Sequence, residues 1–118
     1  MATNDAWLAG TIEATLDPKL PICDAHHHLW NFRADSVEEC YLLDDFLRDT
    51  SSGHNIVSTV FIECGAMFKA NGPTSMRPIG ETEFANGMAA MSASGHYGNT
   101  HVAAAVVGTV DLTLGDAV

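Results

Sequence analysis

Residues 20–30 run Leu20-Pro21-Ile22-Cys23-Asp24-Ala25-His26-His27-His28-Leu29-Trp30, and the reading of this stretch decides the fold. A proline opens an apolar run that ends in Asp24 and three consecutive histidines, the outline of a buried strand with a polar tip. Strand side chains alternate faces, so Ile22, Asp24, His26 and His28 share one side while Cys23, Ala25 and His27 share the other. His26 and His28 therefore converge on one point. His27 faces the opposite way, toward a helix layer, as a packing residue and not a ligand. In a parallel α/β barrel the C-terminal end of such a strand opens into the mouth that carries the chemistry, where two neutral imidazoles can hold one divalent ion. A His-x-His pair alone is also common at surfaces and strand ends. The Pro-led strand before it, Asp24 within it and Trp30 behind it favour a site.

Working outward from this strand, the pattern alternates strand and helix three times. Val37–Arg48 reads as a helix with Val37, Tyr41, Leu42, Phe46 and Leu47 inward, and with Ser36 and Glu39 spaced as a capping box. Asp44 and Asp45 form its solvated face. Ile56–Glu63 is a second strand, apolar on both faces as a central parallel strand should be. A long loop over Gly65–Gly80 leads to a helix over Glu81–Ser94, whose Phe84, Met88 and Met91 pack on the sheet and whose C′ residue is Gly95. His101–Val110 is the third strand, with Gly108 allowing close approach of another backbone and Asp111 at its tip. His54, His96 and His101 fall in a turn or at the opposite strand end and are not ligands. Ahead of the first strand, Asn4–Leu16 reads as a helix with Trp7 buried. Residues 1–18 are thus a leader helix and residues 19–118 a set of β/α units.

Three further residues bear on a site. Glu63, a carboxylate at the tip of the second strand, is costly to bury unless it meets a cation, a proton or a donor. It either lines the mouth or turns outward to cap the next loop. Lys69 and Arg77 stand out because the chain has only five basic residues and the long loop lies on the substrate side. A guanidinium suits a carboxylate best, so Arg77 is a candidate substrate contact; an ordinary salt bridge is the alternative. Glu81 and Glu83 favour the positive end of the helix dipole.

Asp24-Ala-His-His-His-Leu-Trp30 resembles the first-strand signature of the amidohydrolase superfamily, within its branch of TIM-barrel hydrolases related to sugar-acid lactonases and dicarboxylate lactone hydrolases. Val60-Phe-Ile-Glu-Cys64, Pro78-Ile-Gly-Glu-Thr-Glu-Phe84 and Val106-Val-Gly-Thr-Val-Asp-Leu112 resemble later segments of that branch, in order. The resemblance runs from about Trp7 to the last residues and covers the first part of a family member. It implies an α/β fold, the N-terminal three or so β/α units of a (β/α)8 TIM barrel, incomplete as given, since a whole barrel takes ~250 residues. It implies a hydrolase of lactone, ester or C–N bonds that uses metal-activated water. His26 and His28 would hold part of a divalent metal site, most simply zinc, and the acid/base aspartate would lie beyond Val118. The substrate would be a small molecule, such as a carboxylate-bearing lactone, with Glu63, Arg77 and Glu81 as contacts; Glu81-Thr82 resembles a recurrent pair of the family. Some relatives work without metal and others decarboxylate. The alternatives are therefore a metal-independent lactonase or decarboxylase, or an inactive fragment; homo-oligomers fit any of these.

Composition sets outer bounds. A net charge of −10 with five basic residues offers no positive stripe for nucleic acid and no attraction to an anionic membrane. No run approaches the ~20 apolar residues of a membrane span, and no signal peptide is visible. Three cysteines, Cys23, Cys40 and Cys64, fit no close-spaced zinc pattern. Two of them fall in predicted core strands, as buried reduced thiols of a cytoplasmic protein.

Overall fold

The run Asn55-Ile-Val-Ser-Thr-Val-Phe-Ile62 takes the middle of the sheet, because Thr59 and Phe61 on one of its faces are fully buried. The computed structural model describes residues 5–33, 36 and 39–117. In chain order the elements are α1 (Asp5–Leu8), β1 (Pro21–His27), α2 (Leu43–Thr50), β2 (Asn55–Ile62), α3 (Ile79–Ala93) and β3 (His101–Val107). Short 3-10 turns occupy Thr74–Met76 and Leu112–Ala117. The three strands are parallel, in the order β1-β2-β3. Parallel neighbours require a long crossover, which α2 and α3 supply. The fold is thus mixed α/β, a small parallel sheet built from strand-helix units.

The core lies between the sheet and the two longer helices. Leu29, Leu43, Phe46, Phe61, Ala85, Val102 and Ala103 form it, and the buried His27 joins them, stacked on Phe46 at 4.4 Å and edge-on to Phe61 at 5.8 Å. Among the described residues β1 and β3 each pair on one side only, so both present an open edge. Cys23, expected in the core, is exposed on the outer strand β1.

Both outer strands depart from a regular ladder. Opposite Ser58 and Val60, β3 places His101 and Ala105, two residues more than a straight ladder allows. Ala103 absorbs the excess at φ 50°. Side chains satisfy the displaced backbone: Thr59 Oγ1 accepts from the Ala103 N–H at 2.9 Å, and Ser92 Oγ accepts from the Val102 N–H at 3.1 Å. On β1 the register slips between Asp24 and His27, a bulge that shapes the site described below.

The second strand runs one residue earlier at each end than expected, and element boundaries differ from the sequence reading in four further places. The leader helix is a single turn, Asp5–Leu8; the N–H groups of Gly10 and Thr11 close onto the carbonyls of Trp7 and Leu8, and Trp7 is 76% exposed. A helix this short without a packing partner does not propagate. Its expected first residue, Asn4, lies outside the described residues. The second helix starts at Leu43 and not Val37, because Tyr41 exchanges both backbone hydrogen bonds with Trp30 and so stays extended. Val37 lies outside the described residues. The capping carboxylate is Asp45, which accepts the Leu42 N–H at 3.1 Å. The third helix begins two residues early, at Ile79, and Gly95 follows it at φ 79°, as a C′ residue should. The third strand ends at Val107, and the close neighbour of Gly108 is the Thr82 hydroxyl, where a Cβ would come within 2.8 Å.

Two glycines of α3 separate packing from propensity. A Cβ on Gly80 would collide with Met67 O and lie 2.8 Å from Lys69 N, whereas nothing lies within 4 Å of one on Gly87. Alanine in a helix ordinarily stabilises by up to ~1 kcal/mol over glycine. Gly87→Ala should therefore raise the urea midpoint, and Gly80→Ala should lower it, because overpacking there costs roughly 1–3 kcal/mol of stability. Equal shifts of the same sign would contradict the close approach of the 67–69 loop to α3.

Candidate functional site

The bulge on β1 builds the site. Asp24 Oδ1 accepts the His26 N–H at 3.1 Å, which turns the strand end. Beyond that point two β2 carbonyls are taken by imidazoles: His27 Nδ1 bonds Val60 O at 3.0 Å, and His28 Nδ1 bonds Ile62 O at 2.8 Å. A carbonyl only accepts, so each Nδ1 carries the proton and each neutral ring keeps its lone pair on Nε2. For His27 that lone pair is buried and has no partner. For His28 it faces His26, with the two Nε2 atoms 3.2 Å apart and the rings edge-on, 86° between planes. His26 donates across this contact when its own Nε2 carries the proton. The structure thus brings His26 and His28 together and sends His27 into the core, as the alternation implies.

This pair fits two positions of a metal site. Two ring nitrogens each ~2.0–2.1 Å from one tetrahedral zinc lie about 3.3 Å apart. A second ring nitrogen donating to a carbonyl, as in His28, is the usual support of a metal-ligating histidine. Among the described residues no third His, Cys, Asp or Glu joins the pair in a cluster able to hold an ion.

The other candidate residues are placed elsewhere. Glu63 follows β2 with an exposed side chain, and its N–H donates to Val107 O at 2.9 Å. Arg77 turns inward on its own loop, Nε donating to Gly72 O at 3.2 Å. Lys69 forms an exposed ion pair with Glu83 at 2.8 Å. Asp111 is exposed; its Oδ1 accepts the Thr113 N–H at 3.0 Å, and the bonds from Thr113 hold its carboxyl below the usual range. Glu81 is only 2% exposed. Its Oε1 accepts from the N–H groups of Cys64 and Ala66 at 2.9 and 2.8 Å, while Oε2 is buried without a partner. Glu81 is therefore a brace beneath the β2–α3 loop. Burial, and then the Glu81 carboxylate, push the neighbouring Cys64 thiol up to about 11, so it stays protonated.

A cavity of about 670 Å³ opens between the loops that follow β1 and β2, with Trp30, Phe32 and Arg33 on one wall and Ala66, Met67 and Phe68 on the other. Arg33 is the basic residue of this region that sequence reasoning passed over. Its signal was its place, five residues after His28 in a chain with five basic residues.

No protein-family model, curated protein or solved structure matches the chain. Among the described residues no helix is long and apolar enough to cross a membrane.

Two predictions follow the buried groups. Replacing Glu81 by Ala strands two part-buried N–H donors, each costing up to ~1–3 kcal/mol when unsatisfied. Glu81→Ala should lower stability by about 2 kcal/mol or more and speed hydrogen exchange at the Cys64 and Ala66 amides, whereas Glu81→Gln keeps an acceptor and should cost far less. For His27, burial holds the pKa below its ordinary 6.5, against the raising effect of the Val60 carbonyl. The unfolded chain then takes up the proton first, so stability is full above about pH 6.5 and falls as pH drops from there toward the folded-state value. Urea midpoints measured in chelator from pH 7.5 to 5 should show this loss, and His27→Gln should flatten it.

Proposed function

We propose that the chain forms the first β/α units of a (β/α)8 TIM-barrel hydrolase of the amidohydrolase type, acting on a lactone, an ester or a C–N bond. His26 and His28 are its metal ligands, with zinc the first candidate. One observation carries this reading: the two Nε2 atoms 3.2 Å apart at the end of a parallel strand, with His28 held in one tautomer by Ile62 O. The motif resemblance and the parallel strand-helix repeat support it. When bound, such an ion polarises a carbonyl and lowers the pKa of a water toward neutrality.

The chain's own residues account for the orientation of the pair. Ile62 O keeps the proton of the neutral His28 ring on Nδ1, so the lone pair that this ring offers is on Nε2. His26, with its main chain tied by Asp24, brings the second nitrogen. Two imidazoles are half of the about four donors zinc takes, so the remaining ligands and the general acid/base belong to parts of the barrel beyond these units. The chain by itself should show no turnover on lactones. The free thiols fit a cytoplasmic setting.

A metal-independent lactonase or decarboxylase of the same fold is the second reading, favoured by the same 3.2 Å contact taken as an N–H···N hydrogen bond. There the pair holds one proton between two Nε2 atoms, and the exposed His26 can donate it to a substrate carbonyl.

Calorimetric titration of Zn2+ into the chain, with and without His26→Ala/His28→Ala, separates the two. The metal reading expects one equivalent bound by the wild type and lost in the double variant. Identical titrations with the fold intact would remove it in favour of direct substrate contact.

A further inference from the structure

The leader ahead of β1 carries apolar side chains that the rest of the fold leaves in water. Trp7 is 76% exposed, Leu8 57% and Ile12 85%, and Leu16 is fully exposed. None of them is among the core residues or the side chains packed against the core. A single exposed apolar residue is ordinary. Four large ones within residues 7–16 are a concentration of the kind that marks an interaction site.

The same residues carry a pattern that the single chain does not use. Trp7, Leu8, Thr11, Ile12 and Leu16 fall on one side of a helical wheel, with Ala9 and Glu13 opposite, yet the helix stops at Leu8. Gly10 is one reason, since only proline is a weaker helix former than glycine. The other is that a helix this short lacks a surface to pack on. The foot of the leader is fixed: Asp17 Oδ1 accepts the Lys19 N–H at 3.1 Å, and Asn55 Nδ2 donates to Lys19 O at 3.2 Å. The apolar stretch is thus tethered at the N-terminal end of the parallel strands, opposite the end that carries His26 and His28.

We propose that this leader is the contact of a homodimer. The leaders of two copies pair about a two-fold axis, cover Trp7, Leu8, Ile12 and Leu16 against their counterparts, and lengthen α1 past Leu8 as they do so. A two-fold contact needs a self-complementary surface, and an apolar stripe meets that need. The area is sufficient: the four side chains expose on the order of 600 Å² per copy, so covering both sets buries roughly 1,200 Å², the lower end of specific interfaces. Charge disfavours a lipid surface, the other partner of an amphipathic leader. Interfacial helices carry Lys and Arg on their polar side, whereas residues 5–17 hold Asp5, Glu13 and Asp17 and no basic residue. The contact uses neither histidine of the pair and stands whether or not the chain belongs to a hydrolase.

The test is sedimentation equilibrium of the full chain over about 1–300 μM, a range in which an interface of this size can act. Monomer should pass to dimer, and the far-UV helical signal should rise with the dimer fraction. Each copy carries a net charge of −10, so salt that screens the repulsion should tighten the dimer. Ile12→Asp/Leu16→Asp, at two exposed positions, should weaken dimerisation roughly tenfold or more and leave the urea midpoint of the monomer unchanged. Gly10→Ala should tighten it several-fold by favouring the helix. Val107→Lys, on the open edge of β3, should dimerise as the parent does. A monomer at every concentration would overturn the proposal. So would a dimer that survives Ile12→Asp/Leu16→Asp or is abolished by Val107→Lys, since either moves the contact away from the leader. A chain that stays monomeric and binds phosphatidylcholine vesicles through Trp7 would make a lipid surface the partner instead.

Discussion

Two carbonyl oxygens of β2, those of Val60 and Ile62, organise the end of the sheet. A buried backbone carbonyl has to be paired, and the bulge on β1 removes the strand N–H groups that a regular parallel ladder would offer. Imidazole Nδ1–H groups of His27 and His28 take their place. From this one substitution follow the tautomers of both rings, the burial of His27 against Phe46, and the direction of the His28 lone pair toward His26. A single irregularity in one ladder therefore produces a core residue and a candidate ligand pair from adjacent positions in the chain.

The same device recurs wherever this sheet is irregular. Thr59 and Ser92 supply acceptors for the displaced N–H groups of β3, and the Thr100 hydroxyl donates to Ile56 O at 2.8 Å. Glu81 does for the β2–α3 loop what the histidines do for β1. Most of these side chains end fully satisfied. The exceptions are His27 Nε2 and Glu81 Oε2, buried atoms without a hydrogen-bond partner.

Much of this was legible in the sequence. The Pro-led apolar run, the period-two placement of His26 and His28, the dense β2 segment and the helical spacing over α3 follow from local patterns, and each appears where its pattern places it. Bulges do not announce themselves in such patterns, because the alternation of Asp24, His26 and His28 looks the same with or without a register slip. The bridge between Trp30 and Tyr41 overrode a helical pattern that was locally sound, a long-range contact defeating a short-range preference. The leader failed for the opposite reason, since an amphipathic pattern with no partner surface does not hold a helix. Glu81 was singled out for a contact with substrate and serves instead beneath a loop, while Arg33 went unremarked because it lies in no periodic segment. The hydrolase reading rests on motif resemblance joined to the geometry of the histidine pair.

That geometry is open to direct observation through long-range 1H–15N correlation spectra of the histidine side chains near pH 7.5 in the presence of chelator. His27 and His28 should both show a protonated Nδ1 and a bare Nε2, with a scalar coupling or strong shift perturbation linking the Nε2 atoms of His26 and His28. A His28 ring protonated at Nε2, with Nδ1 bare, would mean that Ile62 O does not hold it, and the pair could not present its lone pair as described.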